Sequence, residues 1–145
     1  MNRVLLLAED NPTDEKLTIR AFKKSGLVNE IVGVRDGAEV LDYLFGTGTY
    51  QDRDVGVLPA VLLLDLKLPR LDGLAVLERI RADERTRTLP VVILTASKEA
   101  EDIARSYALG ANAYVRKPVA FAEFAEAARA LGLFWMLLNV PPGAR

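Results

Sequence analysis

Val61-Leu62-Leu63-Leu64-Asp65-Leu66-Lys67-Leu68-Pro69 is the stretch on which the fold turns. Four apolar residues in a row, with no polar alternation, describe a strand buried on both faces. That strand stops on a carboxylate, and Leu66 to Pro69 then breaks its direction. Outward from it the same pattern recurs. Val4 to Ala8 stops on Glu9 and Asp10, Val91 to Leu94 stops on the hydroxyls Thr95 and Ser97, and Ala113 to Val115 runs into Lys117-Pro118. With Ile31 to Val34 these make five short runs alternating with helical spacing, which predicts an α/β fold with a parallel sheet covered by helices on both faces. Parallel strands place their C-terminal ends on one edge, where open α/β sheets bind ligands. Carboxylates, a hydroxyl and an ammonium are therefore expected to meet there, in a site suited to phosphate and magnesium.

The helices are read from apolar spacing and end signals. Helix one opens after Asp10-Asn11 with Pro12 in its first turn, turns Leu17, Ala21 and Phe22 inward, and stops at Gly26. Helix two follows Asp36 and carries Ala38, Leu41, Leu44 and Phe45. Helix three begins near Asp72-Gly73 and buries Leu74, Leu77 and Ile80. Helix four follows Ser97, with Ile103, Ala104, Tyr107 and Ala108, and runs to Gly110. Helix five starts near Phe121. The one long connection, Gly46 to Pro59, is of a length usually functional or mobile.

Composition narrows the chemistry. The chain has 145 residues and a net charge of −1, which suits one domain with a full core. No Lys/Arg cluster provides a footprint for nucleic acid. Cysteine and histidine are both absent, which removes thiolate catalysis, zinc-thiolate sites, imidazole bases and histidine ligands. Any metal must be held by oxygen. No apolar run approaches a membrane span and no signal segment leads the chain, so a soluble, cytoplasmic protein is expected.

Each candidate residue carries two readings. Asp10 or Asn11 can cap helix one, or Glu9, Asp10 and Asp65 can converge, in which case three carboxylates repel unless a divalent cation holds them. Magnesium suits such a place because it accepts a few carboxylates, keeps waters and bridges to phosphate. Asp65 is either an exposed acid at a strand end or a nucleophile that accepts a phosphoryl group as an acyl phosphate. Thr95 is a hydroxyl donor or, like Ser97, a cap of helix four. Lys117 is a point charge for a phosphoryl oxygen or a solvated lysine, and Tyr114 can be a partly buried strand aromatic.

In this order and spacing, Glu9-Asp10-Asn11, Leu64-Asp65-Leu66-Lys67-Leu68-Pro69, Asp72-Gly73, Leu94-Thr95-Ala96-Ser97 and Tyr114-Val115-Arg116-Lys117-Pro118 resemble the receiver domain of two-component response regulators. The resemblance implies a flavodoxin-like, doubly wound five-stranded sheet of order 2-1-3-4-5. It implies Asp65 as phosphoacceptor, Asp10 as direct magnesium ligand, Glu9 as an outer ligand acting through water, and the main-chain carbonyl of Lys67 as a further ligand. Thr95 and Lys117 would grip phosphoryl oxygens, Tyr114 would be the aromatic switch, and Lys117-Pro118 would be cis. Glu9 stands where Asp is commoner. Lys67 and Ser97, two residues beyond Asp65 and Thr95, hold positions that tune phosphoryl lifetime in this family.

A narrower resemblance, carried by the long loop and the Phe134 to Pro141 tail, is to the single-domain regulators of phytochrome histidine kinases. It implies a phytochrome-type sensor kinase as phosphodonor, and a chain without histidine cannot be its own donor. Residues 1–130 are expected to be the receiver and 131–145 an extension of the last helix and tail, with no separate effector domain. Leu131 to Leu138 is apolar on every side, so a homodimer is expected through Leu133, Phe134 and Trp135. Two rivals stand beside the switch. One is a pseudo-receiver that binds partners without phosphorylation. The other is an aspartate-nucleophile phosphatase, which would need an acid where Lys67 stands.

Overall fold

The computed structural model describes residues 4–24, 30–97, 99–117, 126, 129 and 130. Their order is β1 (Leu5–Ala8), α1 (Pro12–Lys24), β2 (Ile31–Val34), α2 (Gly37–Phe45), a 3₁₀ turn (Gly48–Tyr50), β3 (Val61–Leu64), α3 (Gly73–Ala82), β4 (Val91–Thr95), α4 (Ala100–Ala108) and β5 (Ala113–Arg116). The five strands form one parallel sheet of order β2-β1-β3-β4-β5. Gly26, most residues of the expected fifth helix from Phe121, the Lys117-Pro118 peptide and residues 131–145 lie outside the described residues.

The unbroken apolar runs are explained by two cores, one on each sheet face. Leu6, Ala8, Leu62, Leu64, Val91 and Ile93 pack with Val40 and Leu44 of α2 and Val76, Leu77 and Ile80 of α3. The alternate residues Leu5, Leu7, Val61, Leu63, Val92 and Leu94 pack with Ala21 and Phe22 of α1. Each fully buried Leu or Ile contributes about 1.5–3 kcal/mol of transfer free energy, so neither face of the sheet can be left bare. The ladder also reaches one residue past β1, β3 and β5. Glu9 donates its amide to Val34 O at 3.0 Å, Asp65 to Ala8 O at 3.2 Å and Lys117 to Thr95 O at 2.8 Å. The polar residues at the sheet edge are thus pinned through their own backbones.

The caps settle one open choice. Asn11 Oδ1 accepts from the amides of Thr13 and Asp14, so Asn11 caps α1 and Asp10 is released from that role. Asp36 and Asp72 cap α2 and α3 by accepting from Glu39 and Ala75 amides. The proposed capping by Ser97 does not hold, because Glu99 occupies the cap position of α4 without a side-chain bond. Thr95 is fully buried in β4 and does not cap either.

Helix phases differ from the apolar pattern where a polar residue turns inward. In α1 the buried set is Glu15, Thr18, Ala21 and Phe22, with Leu17 half-buried. Thr18 can go inside because its hydroxyl donates to Asp14 O at 2.8 Å, and Glu15 because Arg35 pairs with it at 3.1 Å. In α2 the buried residues are Gly37, Val40, Tyr43 and Leu44, while Ala38, Leu41 and Phe45 are half-buried. In α4 only Ser106 is buried, and Ala104, Tyr107 and Ala108 face solvent. Ser106 Oγ donates to Asp102 O at 2.7 Å, which satisfies the hydroxyl inside its own helix. The helix ends at Ala108, two residues before Gly110, whose φ of 99° makes the turn.

The long connection is tied down rather than loose. Arg53 donates to the carbonyls of Tyr43, Leu44, Asp54 and Val57, and its guanidinium lies 4.3 Å from the centre of the Tyr43 ring. Tyr50 OH donates to Glu39 at 2.8 Å. Among the described residues no helix is long and apolar enough to cross a membrane.

Candidate functional site

Glu9 and Asp10 follow β1, Asp65 follows β3, Thr95 ends β4 and Lys117 follows β5. The register brings all five to one open cleft of about 420 Å³, where they are joined by Asp14, Lys67 and Ser97. Asp65 is buried and held from both sides. Its Oδ1 accepts from Thr95 Oγ1 at 2.7 Å and from the Lys67 amide at 3.2 Å, and its Oδ2 accepts from Lys117 Nζ at 2.9 Å. Burial alone would push the Asp65 carboxyl up, but these donors outweigh it and hold the group below its ordinary value, as an anion.

Glu9 responds differently to the same neighbour. Burial raises its carboxyl from 4.5 to about 6, against the pull of the Lys117 hydrogen bond and charge. Lys117 donates to Glu9 Oε1 and to Asp14 Oδ2 at 3.3 Å as well as to Asp65. For Lys117 burial works toward neutrality, but Glu9 and Asp65 win and raise it well above an ordinary lysine. The solvated-lysine reading is thereby excluded, since its side chain is only 9% exposed.

Glu9, Asp10 and Asp65 each offer a carboxylate oxygen, and these oxygens lie within 4.8 Å of one another. Asp10 is exposed and the other two are buried, so the group opens to solvent on one side. An all-oxygen, anionic, half-open donor set of this kind fits magnesium, which takes a few carboxylates and retains waters. Lys67 stands at the mouth with its side chain exposed. A phosphatase of the aspartate-nucleophile kind would want a carboxylic acid at this place, two residues after the nucleophile, and Lys67 stands there instead.

Behind the cleft the β4–α4 connection is latched. Ser97 accepts on its carbonyl from Tyr114 OH at 3.0 Å and donates its hydroxyl to Asp102 at 2.6 Å. Tyr114 is half-buried and packs on the α2/α3 core. Two participants are not visible in the sequence patterns. Asp14 was one of several acids in an amphipathic helix, and only the fold sets it beside Lys117. Asp102 lies five residues beyond Ser97, a spacing that carries no signal until the turn between them is known.

The response regulator receiver domain profile matches residues 5–129. The chain belongs to that family. This receiver is 32% identical over 142 residues to response regulator Rcp1 of Synechocystis sp., covering 98% of the chain and 95% of the relative. A crystal structure of the Mn(2+)-bound form of Rcp1 superposes with a TM-score of 0.88 at 31% identity, over 97% of the receiver and 99% of that chain. The phosphorylated cyanobacterial phytochrome response regulator RcpA gives a TM-score of 0.90 at 34% identity, over 99% and 100% of the two chains. The bacteriophytochrome response regulator AtBRR is 53% identical with a TM-score of 0.77, over 97% and 99%. These likenesses run the length of the receiver, and the strand order expected from the resemblance is the one observed.

Proposed function

We propose that this receiver is a phosphorylation-dependent signalling switch that takes a phosphoryl group from a phytochrome-type sensor histidine kinase onto Asp65. The observation that carries the reading is the state of Asp65: a buried carboxylate kept ionised by Thr95, Lys67 N–H and Lys117, at the floor of an open cleft. An anionic oxygen is what attack on phosphorus requires. A P–O bond to Asp65 forms as the P–N bond of the donor's phosphohistidine breaks, and the bonding pair leaves with the imidazole nitrogen.

Glu9, Asp10 and Asp65 would hold magnesium, with the Lys67 carbonyl as a further ligand and Glu9 acting through water. Bound there, the cation would supply positive charge that relieves the repulsion of the three carboxylates. The chain's own residues do the rest. Lys117 offers its ammonium to phosphoryl oxygens, and Thr95 moves its hydroxyl from Asp65 Oδ1 to the new group. That movement pulls on the β4–α4 connection, which Tyr114 and Asp102 hold at Ser97. A change of charge at Asp65 thus biases two arrangements of a face that partners read. The receiver works in the cytoplasm as a signalling protein rather than a turnover enzyme, without nucleic acid, and as a homodimer through Leu133, Phe134 and Trp135. Residues 1–130 form the switch and 131–145 the dimerising extension.

The test is phosphotransfer from a purified bacteriophytochrome kinase carrying radiolabelled phosphohistidine. Label should move to wild type in magnesium and not to Asp65→Asn. Equal labelling of both proteins, or label that never leaves the kinase, would refute the reading.

A further inference from the structure

Lys117 holds three carboxylates with three protons. Its Nζ contacts Glu9 Oε1, Asp65 Oδ2 at 2.9 Å and Asp14 Oδ2 at 3.3 Å, and an ammonium has no fourth N–H. A phosphoryl group on Asp65 sets further anionic acceptors beside that same nitrogen. Asp65 gives up its own charge to the acyl phosphate, so the N–H it accepts from can pass to one phosphoryl oxygen, and a second phosphoryl oxygen can be gripped only if another partner yields. Glu9 is the costlier one to release, because its residue is 3% exposed and solvent cannot readily take the lysine's place. Asp14 is the cheap one: its side chain is 41% exposed and its contact with Lys117 is the longest, so water can replace the lysine.

We infer that Asp14 is a positioning residue that competes with the phosphoryl group for Lys117 and so weakens the site's hold on it. The inference rests on the reading of Asp65 as phosphoacceptor. Two effects act in the same direction. Asp14 occupies the proton that a phosphoryl oxygen needs, and its negative charge stands in the cleft that the anion enters. An amide at this position removes the charge and leaves only a weaker, neutral acceptor. The backbone of Asp14 is already engaged independently, its carbonyl accepting from Thr18 Oγ1, so changing the side chain leaves the helix bond in place.

The experiment is calorimetric titration of beryllofluoride, a phosphoryl mimic, into the full-length chain at saturating magnesium. Asp14→Asn and Asp14→Ala should bind about two- to fivefold more tightly than wild type, the size expected of one partly exposed charge pair. Asp14→Glu, which restores the charge on a longer arm, should lose most of that gain. A role in supporting the helix alone would produce no gain in either variant. The competition idea fails if wild type binds, Asp65→Asn does not, and neither Asp14→Asn nor Asp14→Ala binds more tightly. It fails equally if Asp14→Glu gains as much as the neutral variants. Absence of binding to wild type, or equal binding to Asp65→Asn, overturns the reading of the site itself and the inference with it.

Discussion

Glu9 and Asp65 share one ammonium yet are driven in opposite directions, and the difference lies in what else each oxygen touches. Asp65 has two further donors, whereas among the described residues Glu9 has only the Asn11 amide at 3.2 Å to offset deep burial. In the unfolded chain Glu9 has its ordinary value of 4.5, and in the fold about 6. Between those values the folded chain binds a proton that the unfolded chain releases. This group's contribution to stability is therefore present below pH 4.5 and lost as pH rises through about 6. Asp65, depressed below 3.8, works the other way and loses its contribution as pH falls. Carboxyl carbon NMR of the metal-free protein should show Glu9 titrating near pH 6, and added magnesium should move that midpoint down, because a cation favours the carboxylate. A metal-free midpoint at or below 4.5 would contradict the account.

At the scale of elements, the β4–α4 connection is the proposed place where chemistry becomes a signal. Thr95 touches Asp65, and two residues on, Ser97 is held by Tyr114 and Asp102. Thr95→Ala should still accept phosphoryl at Asp65 but transmit less of it, so the amide shifts that beryllofluoride produces around Tyr114 should shrink in the variant. Identical shift changes in the two proteins would show that the hydroxyl does not couple them. The start of α2, on the same face of the sheet, is tight as well. A Cβ built on Gly37 would stand 1.8 Å from the carbonyl oxygen of Leu71, a backbone atom with nowhere to go. Gly37→Ala should cost about 1–3 kcal/mol or more, as overpacking does, read as a lower urea midpoint with an unchanged slope. An unmoved midpoint would mean the α2 start is looser than its contacts imply.

These elements also show what a sequence can reveal. The three central strands were legible because doubly buried strands are unbroken apolar runs, the half-buried edge strands β2 and β5 still read as short apolar runs, and the strand-end residues Asp10, Asp65, Thr95 and Lys117 followed once parallel order put them on one edge. Helix phase was less legible. Glu15, Thr18 and Ser106 face inward because Arg35, Asp14 O and Asp102 O satisfy them, and such partners cannot be read from apolar spacing. Asp14 escaped notice for a related reason: Lys117 is 103 residues away, and its choice of partners exists only after folding.

For the whole molecule, 145 residues deliver one sheet edge at which four strand ends meet, and an apolar C-terminal segment, Leu131 to Leu138, proposed as the contact with a second copy. Aromatic anchors such as Phe134 and Trp135 dominate interface energetics. Sedimentation at micromolar concentration should give a dimer that truncation after Gly132 converts to monomer. A wild-type monomer, or a dimer indifferent to the truncation, would place the interface elsewhere. The central claim is the identity of the phosphoacceptor, and intact-mass measurement after incubation with acetyl phosphate and magnesium tests it most directly. The account predicts one phosphoryl adduct on wild type that disappears in Asp65→Asn and in excess chelator, whereas an adduct that persists in either would contradict it.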